Sequence, residues 1–129
     1  MAYEIPVLVI SLKAAADLSA LQFYFVKLDS SGDVVVCAAA TDVPVGVLQN
    51  EPTSGQTAEV LVLGVSKINS DAALSIGNLI GTASDGQADA KTPGSDTSEY
   101  VVGRVLEASG AAGGYATAMI NCLNPHRAA

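Results

Sequence analysis

Short apolar runs separated by turn residues dominate this chain. The runs are rich in Val, Ile and Leu, recur about every 8 to 12 residues, and are bounded by Gly, Pro, Asn and Asp, which is the spacing expected for β-sandwiches and barrels. No stretch sustains apolar residues at the period of an amphipathic helix. The pattern therefore predicts an all-β domain, either a barrel or a sandwich.

A weak internal repeat organises these predicted strands. The first copy, residues 25–64, reads as strand FVKL, turn DSSGD and strands VVVCAA, VPVGVLQ and TAEVLVLG. The second copy, residues 79–121, follows the same order with LIGTA, SDG, QADAK, YVVGRVLE and YATAMIN. Gly32 and Gly86 stand at the first turn of each copy, where a positive φ favours glycine, so each copy is predicted to begin with a hairpin.

The anchor of the repeat is VGVL at residues 45–48, matched with one inserted residue by VGRVL at 102–106. Echoes of this kind also arise by chance in β proteins rich in Gly and Val, and the predicted strands stand in either case. The fold expected from the repeat is a small single-domain β-barrel or sandwich built from a duplicated β-meander.

The length of 129 residues predicts one domain. Residues 1–20 are predicted to form an amino-terminal arm and a connecting segment, and residues 21–129 the β domain. The arm begins with MAYEIPVLVI, a strand-like stretch in which Pro6 confines any strand to a sheet edge. Such an edge suits strand addition to a neighbouring protein. Residues 14–21 contain good helix formers but are too few for a stable isolated helix, so they form either a helical turn or a loop.

The strand predicted over residues 57–67 is apolar on both faces. In regular alternation Leu61, Leu63 and Val65 share one face. A strand covered on both sides in so small a domain indicates a subunit interface on one of them, so these three residues are interface candidates. Arg104, the lone basic residue of an apolar strand, is a fourth candidate; it either pairs with an acidic group across a contact or simply faces outward.

Composition changes the picture of the surface. Half of the residues are apolar and only 15% are charged, against about 25% in ordinary soluble domains. Part of the surface is therefore expected to be covered by something other than water. Six basic against thirteen acidic residues give a net charge of −7, which argues against a nucleic-acid partner. No apolar run reaches the ~18 residues of a membrane-spanning helix, and no signal peptide is recognisable.

No residue pattern predicts chemistry. The stretch AAGGY lacks the lysine of a phosphate-binding loop, and LDSSGD lacks the closing glutamate of a calcium loop. His126, the only histidine, stands in the terminal tail, where a catalytic base is not expected. Cys37 and Cys122 are expected to be reduced, buried thiols, with a disulfide as the alternative. The sequence thus predicts no enzyme, catalytic residue, metal, cofactor or small-molecule substrate.

Two stretches, ADLSALQFYFVKLDSSGDV and ATDVPVGVLQNEPTSGQTAEVLVLGVSKI, resemble the capsid decoration, or structural cement, proteins of tailed bacteriophages. The resemblance covers residues 16–123 and rests on turns and strands that define a fold. It implies a β-barrel or β-tulip that binds the outer surface of the phage head as a homotrimer and stabilises the expanded shell. Its partners would be the major capsid protein and its own copies. The protein would be made in the host bacterial cytoplasm and located in the virion, on the outside of the capsid.

Under that resemblance, the arm is expected to supply the capsid contact by pairing with an exposed strand edge. The contact residues would be Tyr3, Glu4, Ile5, Val7 and Val9. The alternative function is a ligand- or carbohydrate-binding β module of a head or tail appendage. Such modules normally stack sugars on exposed aromatic side chains, and this chain has no Trp and only four Tyr.

Overall fold

The structure, a computed structural model, describes residues 2–129 and contains eleven strands and no helix over that range. The strands are β1 (Ile5–Lys13), β2 (Phe25–Leu28), β3 (Val34–Val36), β4 (Gly46–Leu48), β5 (Thr57–Asn69), β6 (Leu79–Thr82), β7 (Ala88–Ala90), β8 (Tyr100–Val101), β9 (Gly103–Glu107), β10 (Tyr115–Asn121) and β11 (His126–Arg127).

Nine strands form one antiparallel sheet in the order β3-β2-β4-β5-β10-β9-β6-β7, with β1 paired to β5 in addition. Residues 60 and 61 of β5 pair with both β1 and β4, and residues 63–65 pair with both β1 and β10. Since a strand has two edges, β1 lies along one edge of β5, and β4 and β10 follow one another along the other. The sheet curls into a half-barrel, which confirms the predicted all-β class.

Local chemistry explains the two hairpins that begin the copies. In the turn after β2, one carboxylate oxygen of Asp29 accepts hydrogen bonds from the amides of Ser31 and Asp33, at 2.9 and 3.0 Å. Gly32 in this turn has a φ of 81°, and Gly86 in the corresponding turn after β6 has a φ of 89°. These are conformations that glycine adopts without a steric cost.

The duplicated meander is present in the topology. β2 pairs with β3 and β4, just as β6 pairs with β7 and β9, and the pair β4–β5 corresponds to β9–β10. The registers correspond as well, since Val26 lies opposite Gly46 and Ile80 lies opposite Gly103. Residues in the paired strands of one copy can therefore be matched to residues of the other by their pairing alone.

Both copies extend beyond the bounds predicted from the sequence. Ala14 forms a parallel bridge with Val34, and Ser70 forms the same bridge with Ala88. β1 leads into the first bridge, and the second half of β5 leads into the second. The first copy thus spans residues 5–63 and the second residues 61–121, and β5 belongs to both.

The amino-terminal segment corrects the predicted domain organisation. The sequence suggested that residues 1–20 lie outside the β domain, but β1 pairs with β5 along residues 57–65. Ile10 and Leu12 pack against a core cluster in which Ala14 and Leu18 are 0% and 1% exposed. Residues 14–21 form a loop, the second of the two predicted alternatives. The described part of this segment, from residue 2, is therefore built into the single domain, and residue 1 lies outside the described residues.

Each copy encloses a hydrophobic cluster of its own. The cluster of the first copy contains Leu18, Val26, Val34, Leu48, Ala58 and Val60, with Ile10, Leu12 and Val45 at its rim. The cluster of the second copy contains Ile68, Leu74, Ile80, Ala88, Val102, Val105, Ala116, Ala118 and Ile120. Phe25, Val47 and Leu61 of the first copy belong to this second cluster. One face of the first copy therefore covers the core of the second.

A bulge in β5 overturns one predicted interface residue. The register between β1 and β5 shifts twice, which leaves Val7 and Val62 as extra residues. Because of this shift, Leu61 does not share a face with Leu63 and Val65: Leu61 is 0% exposed, whereas the other two are half-buried at the surface. Leu61 is a core residue of the subunit and is not available to a partner. The first half of β5 is apolar on both faces because it separates two internal clusters.

The carboxyl-terminal part differs from the sequence prediction in two details. The predicted strand YVVGRVLE is divided at Val102 into β8 and β9, since β8 pairs with β11 in a separate two-stranded sheet. The terminal tail is held in place by this pairing and by a hydrogen bond from the amide of Ala128 to the carbonyl of Glu99, at 2.9 Å. His126 lies in β11 and is exposed.

Candidate functional site

A row of outward-facing side chains crosses five strands of the sheet. Val65 of β5 lies opposite Ile5 of β1 and opposite Met119 of β10. Met119 lies opposite Arg104 of β9, which lies opposite Leu79 of β6. Residues directly opposite each other share a face of the sheet, so these five side chains project to the same side. At about 4.8 Å between strands, this outer row is roughly 19 Å long.

The outer row is mostly apolar and open to solvent. Ile5 is 57% exposed and Met119 is 45% exposed, Arg104 is exposed, and Val65 and Leu79 are half-buried. Four of its members line a groove of about 720 Å³, together with Val7 and Leu63 among others. Single exposed apolar residues are common, but a contiguous exposed group of them marks a contact surface.

β1 presents a free edge beside the outer row, because β5 is the only described strand that pairs with it. The amide of Ala14, which follows β1, donates to the carbonyl of Gln56 on the β5 side, at 2.9 Å. Backbone groups point to alternate edges along a strand, so the amides of Val9 and Ser11 point away from β5. Val7 and Val9 are 69% and 41% exposed. An exposed edge of this kind is a template for an added strand.

Tyr3 and Glu4 precede β1 and lie across the neighbouring strands. The amide of Tyr3 donates to the hydroxyl oxygen of Thr117, at 3.0 Å, and that hydroxyl donates to a carboxylate oxygen of Glu107 at 3.0 Å. A carboxylate oxygen of Glu4 lies 3.9 Å from Nζ of Lys67. Both charged side chains are about one third exposed, so this ion pair contributes less than about 1 kcal/mol.

Residues that the sequence suggested for two separate contacts lie on one surface. Ile5 and Val7 of the predicted capsid contact adjoin Leu63, Val65 and Arg104 of the predicted subunit interface. Leu61 is the one interface candidate that lies elsewhere, in the core.

Sequence reasoning missed Met119 and Leu79, which complete the outer row. By their pairing, these two residues occupy the positions that Leu61 and Phe25 occupy in the first copy. Aligning TAEVLVLG with YATAMIN residue by residue pairs Leu61 with Met119, and aligning FVKL with LIGTA pairs Phe25 with Leu79. These alignments were the available signal for finding the two residues.

The remaining side-chain chemistry is sparse in residues 2–129. No group of three or more His, Cys, Asp or Glu residues is placed to hold a metal ion. Every buried side-chain nitrogen or oxygen in that range has a hydrogen-bond partner. No helix in the described part of the chain is long and apolar enough to cross a membrane.

Both cysteines are free thiols with depressed acidity. Burial raises the pKa of Cys37 to about 12, and burial together with the proximity of Cys37 raises the pKa of Cys122 to about 12. At pH 8, four units below that value, roughly one thiol in ten thousand is ionised, and only the thiolate is nucleophilic.

We therefore expect both thiols of the native protein to resist a thiol reagent at pH 8 and to react rapidly once the protein is unfolded. The unfolded thiols ionise near pH 9 and the folded ones near pH 12, so stability should fall as the pH rises between these values. Time courses of labelling with and without denaturant measure the protection. Prompt labelling of the native protein would contradict this assignment.

No family model matches the chain, and no curated protein matches it either. Among solved structures, the chain is similar to the head fiber gp8.5 N base of bacteriophage phi29, with a TM-score of 0.65 and 18% sequence identity. The similarity covers 89% of this chain and 94% of that chain. At this identity the comparison shows that the two proteins share an all-β fold over nearly their whole lengths.

Proposed function

We propose that this chain is a structural protein of a tailed-phage head, a decoration or cement protein that binds the outer surface of the capsid as a homotrimer. It contacts the major capsid protein, stabilises the expanded shell and acts by binding alone, without a catalytic step. The observation that carries this proposal is the exposed apolar outer row beside a free strand edge. The fold shared with the base of a phage head fiber supports the same assignment.

Shell stabilisation then follows from linkage. A partner that binds the expanded shell and not its precursor or its ruptured form lowers the free energy of the expanded state. A trimer that touches several capsid subunits at once binds through avidity, so weak individual contacts suffice.

The capsid contact is placed at the free edge of β1, where a strand of the major capsid protein would pair with the backbone near Val9. The second copy contains a precedent for such an addition. The first strand of the second copy is the second half of β5. At residues 63–65, β1 pairs with the edge of this strand that corresponds to the free edge of β1 in the first copy. The first copy lacks an equivalent strand within residues 2–129, so its edge is open to one from outside the chain.

We expect the substitution Val9→Pro to abolish binding to undecorated phage heads and to leave the subunit folded. The Val9 amide points away from β5, so proline removes a donor from the free edge without breaking a hydrogen bond inside the sheet. Co-sedimentation with heads measures binding, and the temperature at which the heads rupture measures stabilisation of the shell.

The matched control is Val9→Thr, which keeps the amide and the β-branched shape. Threonine should bind heads within about threefold of the original protein, whereas proline should bind at least a hundredfold more weakly. Equal binding by the two variants would exclude strand addition at β1. Failure of the original protein to bind heads at all would refute the proposed function.

The groove beside the outer row supports a second candidate, a ligand- or carbohydrate-binding module. Asn121, Asn124 and His126 lie in its lining and could donate hydrogen bonds to a polar ligand. The lining includes no Tyr, Phe or Trp on which a sugar ring could stack. Glycan binding that is lost in Asn124→Ala, with head binding unchanged, would favour this candidate.

A further inference from the structure

We propose that the outer row of one subunit packs against the rim of the first-copy cluster of a neighbouring subunit, in a head-to-tail contact. This contact would repeat between subunits the packing that already joins the two copies within one chain. The inference rests on the proposed self-association and specifies the two surfaces that make it.

The first half of the argument concerns the outward face of each copy. Leu61, Val47 and Phe25 form a cross-strand row in the first copy, and all three are 0% exposed because they cover the cluster of the second copy. The corresponding row of the second copy is Met119, Arg104 and Leu79, which is open to solvent or half-buried. The second copy therefore carries a covering face that covers nothing in the monomer.

The second half concerns the rim of each cluster. In the second copy the positions at the rim are Ser66, Ile68 and Val102, which are 0%, 0% and 2% exposed beneath the first copy. Their counterparts in the first copy are Ile10, Leu12 and Val45, identified by the pairings of β1 with β5 and by the matching backbone hydrogen bonds of Val45 and Val102. All three counterparts are only half-buried.

Within the monomer, the covering face of the first copy packs on the rim of the second copy. The covering face of the second copy and the rim of the first copy have no such partner and stay exposed. Repeats that cannot bury their apolar faces alone gain stability by stacking on neighbours, and the outermost faces of such a stack remain open unless they are capped. The outer row is apolar at four of its five positions and has no capping segment among residues 2–129. A second copy of this chain is the partner that offers the matching rim.

A contact between two different surfaces is heterologous, so each subunit uses its outer row once and its rim once. Such contacts close into a ring when the rotation between subunits permits, and a ring of three is the trimer of the proposed function. Arg104 stands where Val47 stands in the first copy, and its long side chain can leave the contact towards solvent.

The test uses two variants that damage opposite halves of the contact. Met119→Asp places a carboxylate in the outer row, and Val45→Asp places one at the rim. Each variant alone should be monomeric, with self-association weakened about a hundredfold or more, because a buried unpaired charge is costly. An equimolar mixture should form a heterodimer through the one intact contact that remains, and it should grow no further. Native mass spectrometry and sedimentation velocity measure both results.

A mixture that stays monomeric, or single variants that still assemble, would overturn the inference. Melting curves verify that each variant is folded, and Ile10→Asp, which places a carboxylate at another position of the same rim, replaces Val45→Asp should the latter unfold. Head binding of the original protein is measured separately. Head binding with no rescue on mixing would refute only this contact, whereas rescue without head binding would refute only the proposed function.

Discussion

Replacing Gly64 with alanine is expected to destabilise the protein by about 3 to 5 kcal/mol. Gly64 has a φ of 136°, a conformation that other residues rarely adopt. A Cβ atom at this position would lie 2.6 Å from the carbonyl oxygen of Ile5 and 2.8 Å from the backbone nitrogen of Val7. Because both neighbours are backbone atoms, the first part of β1 would have to leave β5. Denaturant unfolding measures the loss of stability.

The matched control for Gly64 is Gly55→Ala. Gly55 also has a positive φ, 84°, but nothing lies within 4 Å of the place where its Cβ would be. This substitution should cost about 1 kcal/mol, from backbone strain alone. Hydrogen exchange should be accelerated along β1 in the Gly64 variant and not in the control. Equal losses in the two variants would show that the close approach of β1 is unimportant.

Replacing Lys91 with methionine is expected to cost about 3 kcal/mol, the second large effect. The Lys91 side chain is 0% exposed, and its ammonium donates to the carbonyl of Thr82 at 2.9 Å and to Glu99 at 2.5 Å. Methionine fills the space but leaves the carbonyl and the Glu99 carboxylate without this donor. Asp89, at 3.3 Å, is 40% exposed, so water screens its share of the interaction.

Lys27→Met is the control for the loss of a lysine charge. Nζ of Lys27 lies 2.8 Å from a carboxylate oxygen of Asp42, but the lysine side chain is 31% exposed. Its removal should cost less than about 1 kcal/mol. Thermal unfolding of both variants measures the difference. A loss from Lys91→Met no larger than the loss from Lys27→Met would mean that the buried ion pair contributes little to stability.

The hairpins were predictable from the sequence because their determinants are local. Glycine at 32 and 86 and the capping carboxylate of Asp29 fix the turns within a few residues, and apolar runs on either side supply the strands. The second copy of the repeat was recognisable in the sequence for the same reason.

The role of β1 was not predictable from local pattern. β1 opens the first copy, and the second half of β5 opens the second copy at the equivalent position. The sequence does not show this equivalence, because the second half of β5 is continuous with the first half, which closes the first copy. The fate of Leu61 depended on a bulge at Val62, which has no sequence signature of its own and reverses the alternation of faces. Regular alternation of faces had predicted that Leu61 lies on the same exposed face as Leu63.

The burial of Lys91 depends on partners that lie nine and eight residues away along the chain, Thr82 and Glu99. Lys91 occupies the position of Cys37 in the first copy, as the matching hydrogen bonds of their amides show. A lysine is tolerated there because the loop that follows returns Glu99 to it. The sequence does not predict this contact, since nothing along the chain indicates that the loop folds back.

The strand β5 makes the two halves of this duplicated protein inseparable. A cut within β5 would separate the second half from Phe25 and Val47, which belong to its core, so that fragment would not keep a complete core. We therefore expect no unfolding intermediate in which the second half survives without the first. A further unit that followed the second copy would bury the present outer row and expose one of its own, so the number of exposed ends would stay the same.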